Sequence, residues 1–181
     1  MVLLVNGAFG IGKTVVARAL VARLPDSLLF DAEKVGVVLQ CVGRLAGQRA
    51  GDFQDLASWR SLTVLSLRAA RAVRSNIIVP MAFSNTSYLR EVCEGIARFD
   101  PRVFHCCLVA PVAVVHARLR ERGCNPSDAQ GAWQYRRAAE CCAVHGGEAF
   151  AQHLSAVGRG PVEIAEELLA HVEHAAHEGR R

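Results

Sequence analysis

Residues Gly7-Ala8-Phe9-Gly10-Ile11-Gly12-Lys13-Thr14 match the pattern G-x-x-x-x-G-K-[ST] in full. A chain that uses this pattern must put a strand before it and a helix after it, because the loop works only as the hinge between the two. Both flanks comply. Val2 to Val5 is a short apolar, β-branched run that reads as a buried parallel strand. From Thr14 onward Val15, Ala19, Leu20, Val21 and Leu24 recur at helical spacing, and Pro25-Asp26-Ser27 ends the segment. Lysine usage isolates the same spot: of 21 basic residues only Lys13 and Lys34 are lysine, and arginine holds the rest. Lysine at this position supplies a slender, flexible point charge rather than a planar fork, as phosphate oxygens between two glycines require.

The physics of such a loop is direct. Successive backbone N–H groups over Gly7, Ala8, Phe9, Gly10, Ile11 and Gly12 converge on a β-phosphate, the following helix adds the positive end of its dipole, and the glycines admit close backbone approach. Lys13 then reaches the β- and γ-phosphates, and the Thr14 hydroxyl is placed to ligate Mg²⁺. These eight residues are the nucleotide-binding candidates, with a ligand-free strand-to-helix turn as the bland alternative.

With 181 residues the chain has the usual size of one domain and can bury a full core without disulfides. Hydrophobic residues make up 51% and charged ones 21%, no repeat is evident, and no stretch approaches the ~20 uninterrupted apolar residues of a membrane span. The apolar opening, Met1 to Val5, is too short for a signal-peptide core and runs straight into the loop, which predicts a cytoplasmic protein. Seven cysteines fit that location: the number is odd, no C-x-x-C pair occurs, and the doublets Cys106-Cys107 and Cys141-Cys142 form no disulfide framework. The net charge of +4 and the spacing of Arg68, Arg71 and Arg74 invite a nucleic-acid reading. Without aromatic interleaving or a recognised module they are read as a solvated helix face, and no nucleic-acid partner is expected.

Strand and helix take turns along the rest of the chain. Ser27 to Asp31 reads as a second strand, followed by helical stretches over about Glu33 to Val42 and Ser58 to Arg74 with a polar connector, Ala46 to Asp55, between them. Asn76 to Pro80 is a third strand, Ser87 to Phe99 a helix, Val103 to Ala110 a fourth strand, and Pro111 to Glu121 a helix ended by Gly123-Cys124-Asn125-Pro126. A helix over Ala129 to Val144, a short strand near His153 to Val157 and an amphipathic helix from Val162 to about Ala176 complete the pattern. The last helix sets Val162, Ala165, Leu168, Leu169, Val172 and Ala176 against an acidic side with Glu163, Glu166, Glu167 and Glu173, which suits packing on a sheet and would repel anionic lipid. Such alternation predicts a parallel sheet covered on both faces, with ligands at the C-terminal strand edges.

Asp31 is the most informative residue after the loop. A carboxylate ending the strand beside a phosphate loop can orient or deprotonate an incoming hydroxyl, and it can equally cap the helix that starts near Glu33. No apolar run on the third strand leads to Asp or Glu; Pro80 stands there, which argues against a motor, transporter or switch GTPase. Arg118 and Arg122 share a face at i, i+4 spacing just before the glycine break, where one can stack on adenine while the other neutralises phosphate charge; Arg136 and Arg137 are a second such pair, and a solvated arginine face is the alternative. Asp52, Gln54, Trp59 and Arg60 combine a carboxylate, an amide, an aromatic ring and a guanidinium that can grip a polar planar ligand, with Ser58 as a helix cap and Trp59 as a core anchor in the bland version. His171, His174 and His177 lie three apart on the last helix and read as a solvated face rather than a metal site.

Taken together, VNGAFGIGKT (5–14), FDAEKVG (30–36), DFQDLASWR (52–60) and IIVPMAF (77–83) resemble the TmrB-like tunicamycin-resistance proteins, P-loop proteins related to small-molecule kinases; RLRER (118–122), Trp133 and AFAQHL (149–154) look similar too. The phosphate loop is shared with countless NTPases, so the resemblance rests on the other three segments. It implies ATP and Mg²⁺ as ligands, tunicamycin, a nucleoside antibiotic carrying uridine and sugars, as the small-molecule partner, and functional roles for Asp31, Asp52, Gln54, Trp59 and Arg60. Members of that group are thought to associate with membranes through a C-terminal amphipathic helix, whereas this chain ends soon after an acidic one.

The expected fold is a P-loop NTPase of the nucleotide or small-molecule kinase type: a three-layer α/β/α domain over residues 1–181 with a parallel sheet of about five strands. A helical insertion at about 33–74 lies on the substrate side, and a helical lid at about 118–137 closes it. Expected catalytic residues are Lys13, Asp31, Arg118 and Arg122. Phosphorylation of tunicamycin is the leading expectation. ATP-dependent sequestration of it without chemistry, and a kinase acting on another nucleoside or small metabolite, stay open.

Overall fold

A computed structural model of the protein describes residues 1–32, 34–36, 53–150 and 152–178. Five parallel strands, β1 (Val2–Gly7), β2 (Ser27–Leu29), β3 (Asn76–Pro80), β4 (Val103–Val109) and β5 (His153–Ser155), form one sheet in the order β2-β3-β1-β4-β5. The helices are α1 (Lys13–Arg23), α2 (Ala57–Val73), α3 (Thr86–Ala97), α4 (Val112–Glu121), α5 (Ala129–His145) and α6 (Pro161–Glu178), with short 3-10 turns at Phe53–Asp55 and Glu148–Phe150. The expected helix over 33–42 and connector over 46–55 lie largely outside the described residues, as does Asp52; of them, residues 34–36 are helical.

The unbroken apolar run of β1 now has its reason. Leu3 and Val5 enter a cluster with Val16 and Leu20 of α1, Val115 and Leu119 of α4, Cys141 of α5 and Leu168 of α6. Val2 and Leu4 enter the opposite cluster, with Leu67 of α2 and Leu89, Val92 and Ile96 of α3. A central parallel strand is buried on both faces, so its side chains cannot alternate apolar with polar. The result is the expected three-layer α/β/α arrangement, with β1 in the middle and the Gly7–Thr14 loop leaving its C-terminal end.

The buried faces of two helices differ from the periodicity reading. Helix α1 buries Val16, Ala17 and Leu20 while Val15 is 44% exposed; α6 buries Ile164, Ala165, Leu168 and Val172 while Val162 is 47% exposed. Alanine-rich helices carry a broad apolar stripe, and the neighbour they meet selects which part of it faces inward. Ser58 does not cap α2, which begins after Leu56 without a side-chain cap. Of the three arginines read as a solvated face, Arg68 and Arg74 are exposed and Arg71 is half-buried. Arg71 Nε donates to Asp100 Oδ2 at 2.6 Å, and Arg102 N donates to Oδ1 at 3.0 Å, while Asp100 is only 4% exposed. Burial alone would raise the Asp100 pKa, but the Arg71 guanidinium, the Arg102 amide and the nearby Met1 amine hold it below the ordinary carboxylate value.

Candidate active site

The phosphate loop is shaped by left-handed glycines and by what packs beneath it. Gly10 (φ 83°) lies against α4 so closely that a Cβ there would meet Leu119 Cγ at 2.8 Å, and Gly12 (φ 113°) sets the first turn of α1. Val15 and Val16 both donate to Gly12 O at 3.1 Å, so intrahelical bonding starts there and the amides of Lys13 and Thr14 belong to the open N-terminus. That end has no side-chain cap and no acidic residue in its first turn. Two other helices are closed by their own residues, the Asn85 carboxamide accepting from Ser87 N and Tyr88 N and the Asp128 carboxylate accepting from Gly131 N, whereas α2 and α4 also begin without a side-chain cap. The uncapped end of α1 differs from these in following a loop of left-handed glycines with the Lys13 ammonium beside it, which suits an external anion. Lys13 Nζ donates to Ala8 O at 2.9 Å and stands 5.3 Å from the centre of the Phe9 ring, and Thr14 is exposed.

Beside the loop, the chain leaving β3 is tied down from three directions. Pro80 pairs with Val5, and Met81 N continues the ladder onto Val5 O at 2.9 Å. Asn6, fully buried, then takes over from the strand: its Oδ1 accepts from Phe83 N at 2.8 Å and its Nδ2 donates to Phe83 O at 3.1 Å. His145 Nε2 lies 2.7 Å from the same Phe83 oxygen, Gln54 Nε2 donates to Ala82 O at 3.1 Å, and Arg137 donates to Ser84 Oγ at 3.2 Å and to Glu140 at 2.6 Å. Burial, together with the charges of Lys13 and Arg137, lowers the His145 pKa against the opposing pull of the Phe83 carbonyl, so the imidazole is neutral at pH 7. Neither Asn6 nor His145 stood out as a site residue in the sequence. Asn6 did carry a signal, a lone amide ending an apolar strand.

Asp31 lies two residues beyond the end of β2, exposed, with its carbonyl accepting from Lys34 N at 3.3 Å. The segment behind it is fixed by Trp59, whose Nε1 donates to Ala32 O at 3.2 Å and whose ring meets Phe83 edge-on at 6.1 Å. Arg60 is 8% exposed: Nε donates to Glu91 at 2.7 Å, Nη1 to Gln54 O at 2.5 Å, and the guanidinium lies 4.1 Å from the centre of the Tyr88 ring. The Gln54, Trp59 and Arg60 side chains thus knit the residues after β2 to those after β3, holding Asp31 at the same C-terminal sheet edge as the loop.

Arg118, Arg122, Arg136 and Arg137 separate. Arg118 bridges the site, with Nη1 on Ile11 O at 2.7 Å and Nη2 on Ala156 O at 2.6 Å, so it joins the phosphate loop to the turn after β5. Arg137 reaches Ser84 from α5. Arg122 and Arg136 are exposed. Helix α5 rests on the loop through Trp133, whose ring meets Phe9 edge-on at 5.1 Å. Between the loop, the ends of β4 and β5 and the last turn of α5 lies a cleft of about 320 Å³ lined by Ala8, Ile11, Ala110, Pro111, His145 and Val157 among others. Among the described residues no group of His, Cys, Asp or Glu is placed to hold a metal ion, the cysteines are free thiols, and no helix is long and apolar enough to cross a membrane.

Comparison with known proteins agrees with this architecture. The AAA domain family model matches residues 2–138. The tunicamycin resistance protein of Deinococcus radiodurans is similar over 95% of each chain, with 31% identity and a TM-score of 0.73. A gluconokinase from Sinorhizobium meliloti (16% identity, 97% of this chain and 93% of that one, TM-score 0.65) and the shikimate kinase of Acinetobacter baumannii (12%, 96% and 93%, 0.61) share the fold. No curated protein matches the chain. A glycine loop with an open helix end, a five-stranded parallel sheet in this order, and likeness over nearly the whole length to a resistance protein place the chain in the AAA domain family and, within it, in the TmrB-like tunicamycin-resistance group of kinase-like P-loop proteins.

Proposed function

We propose that the protein binds ATP with Mg²⁺ at Gly7–Thr14 and transfers the γ-phosphoryl group to a hydroxyl of a nucleoside-type small molecule, with tunicamycin as the substrate. The observation that carries this reading is the uncapped N-terminus of α1 behind the glycine loop, bearing Lys13 and Thr14 and facing the same sheet edge as Asp31. The identity of the Deinococcus radiodurans neighbour supports the choice of substrate.

The residues present fit both ligands. Amides of the first turn of α1 and the Lys13 ammonium, now on its own loop carbonyl, supply the positive environment that triphosphate oxygens need. The exposed Thr14 hydroxyl is a hard oxygen ligand at the edge of that cradle, as Mg²⁺ prefers alongside phosphate oxygens and water. When bound, the ion neutralises charge on the β- and γ-phosphates. Lys13 exchanges the Ala8 carbonyl for those oxygens and holds them as charge shifts onto the leaving group. Asp31 orients the acceptor hydroxyl and takes its proton as the oxygen bonds to the γ-phosphorus and the bond to ADP breaks. Arg118, pinned between Ile11 and Ala156, and Arg137, on Ser84, add fixed positive charge on the two flanks of the loop, while Arg122 and Trp133 belong to the lid over 118–137 that excludes water. Gln54 completes the acceptor side, with Trp59 and Arg60 behind it, and Asp52 is assigned a substrate role from the resemblance alone.

Incubation with ATP, Mg²⁺ and tunicamycin is expected to give a product heavier by one phosphoryl group, and Asp31→Asn to abolish that product while ATP still binds. Tight binding of tunicamycin with unchanged mass would replace catalysis by ATP-dependent sequestration. ADP release with other hydroxylated compounds and none with tunicamycin would move the protein to a different small-molecule substrate.

A further inference from the structure

Helix α2 turns an apolar stripe to solvent. Leu62, Leu65, Ala69 and Ala72 follow one another at alternating spacings of three and four residues, the seam period of a helix that packs along another helix, and all four are exposed. Val73 continues the stripe at 68% exposure and Leu65 stands at 60%; among the described residues these are the two most exposed large apolar side chains. Single exposed apolar residues are ordinary on a surface, whereas a contiguous stripe rimmed by charge is the mark of an interaction face.

The charges that rim the stripe indicate what covers it. Helices α2 and α3 run side by side in the same direction: Arg60 Nε donates to Glu91 at 2.7 Å, a Cβ on Gly95 would meet Val64 Cγ2 at 2.9 Å, and Arg71 Nε donates to Asp100 at 2.6 Å. Between them lies an open groove of about 660 Å³ whose walls include Leu65, Arg68 and Arg98. Charge divides along its length. Glu91 and Glu94 stand at the first half, level with Arg60 and Val64, and Arg68 and Arg98 stand at the far end; all four are exposed. Arg90, also exposed, lies roughly 100° around α3 from Glu91 and off this face. A face with acid at one end, base at the other and an apolar seam alongside is complementary to itself when turned end for end.

We propose that the α2–α3 face binds a second copy of the chain about a two-fold axis, with the two α2 helices antiparallel, Leu62 of each copy against the partner's Leu65, and Arg68 and Arg98 of each beside the partner's Glu91 and Glu94. A parallel pairing would set arginine on arginine, and an anionic lipid surface would be repelled by the carboxylate half of the groove. Helix α2 has 17 residues and so spans about 25 Å, and with α3 at an axis spacing of about 8–10 Å the face is about 20 Å broad. That is on the order of 500 Å² on each copy and about 1,000 Å² in all, the lower end of specific interfaces, which makes a dimer in the micromolar range rather than an obligate one. No residue of Gly7 to Thr14 lines the groove, so the pairing stands whether or not a nucleotide binds.

Sedimentation equilibrium of the full chain between about 1 and 200 μM is expected to show the average mass rising from 19.6 kDa towards twice that value. Leu65→Asp, at an exposed position where the melting point should hold, is expected to keep the mass at that of one chain throughout. Arg68→Glu should weaken association about tenfold by facing the partner's Glu91 and Glu94, and adding Glu94→Arg should bring it back to within about threefold of the unaltered protein. Such a rescue distinguishes the end-for-end pairing from general stickiness of the stripe. A mass of one chain at every concentration overturns the pairing, and so does a dimer that survives Leu65→Asp or a charge exchange that restores nothing. Binding of a monomeric chain to phosphatidylserine vesicles, lost in Leu65→Asp, would give the stripe to a lipid surface and overturn it as well.

Discussion

Asn6 offers the sharpest test of how the site is held, because one buried amide replaces a stretch of missing β-ladder. In Asn6→Ala, the Phe83 N–H loses its acceptor at 2.8 Å, whereas the Phe83 carbonyl keeps His145 at 2.7 Å, so one orphaned buried donor results rather than two orphaned groups. An unpaired buried donor costs about 1–3 kcal/mol. The vacated amide volume, on the order of 40 Å³ at ~24 cal/mol per Å³, adds about 1 kcal/mol. The sum, about 2–4 kcal/mol, corresponds to a melting shift of roughly 4–16 °C for a chain of this size. Asn6→Asp separates the hydrogen bonds from the volume. Its protonated carboxyl can donate to Phe83 O and accept from Phe83 N, but the carboxylate faces that carbonyl oxygen without water, so its pKa in the folded state is raised. A raised folded value means that the variant keeps its stability below about pH 4, the ordinary carboxylate value, and loses it as pH rises through the folded value. Thermal melts of the three proteins between pH 5 and 8 measure this. An Asn6→Ala melting point within about 1 °C of the unaltered protein, or an Asn6→Asp deficit that does not grow with pH, would refute the clamp.

Three further outcomes are expected. Lys13→Ala should weaken ATP binding by tenfold or more in calorimetry with little change in melting, since the lysine's own contact is one surface-loop carbonyl at 2.9 Å. Gly10→Ala should lower both melting point and nucleotide affinity, because it forces φ 83° on an L-residue at about 1–2 kcal/mol and drives its Cβ to within 2.8 Å of Leu119. Asp100→Asn should destabilise the protein at neutral pH. Because the Asp100 pKa is lowered on folding, its contribution is present above the ordinary value near 4 and fades below it, so urea midpoints of variant and parent should converge as pH falls below about 4.

Much of the fold and of the candidate site could be read along the chain because both are written in local signals. The loop G-x-x-x-x-G-K-T is contiguous, its flanking strand and helix are set by short-range periodicity, and the strand–helix alternation implies a parallel sheet with the loop at its C-terminal edge. The segments DFQ-x5-WR and IVPM carried the family resemblance, and the bonds from Gln54 to Ala82 and from Trp59 to Ala32 show how the first is tied to the chain after β3 and after β2. Other features depend on partners that no local pattern names. Asn6 meets Phe83 across 77 residues, His145 meets the same carbonyl across 62, and Arg118 reaches Ile11 across 107. The buried faces of α1 and α6 were likewise settled by the helix each meets, not by periodicity alone. Hydrogen-bond capacity and apolar period belong to the residue and its neighbours in sequence, and these the chain itself determined. Which donor finds which carbonyl is a property of the packed layers, so only the tertiary structure could decide that Arg118 ties the loop to the turn after β5, and that His145 from the end of α5 meets the Phe83 carbonyl that Asn6 also holds.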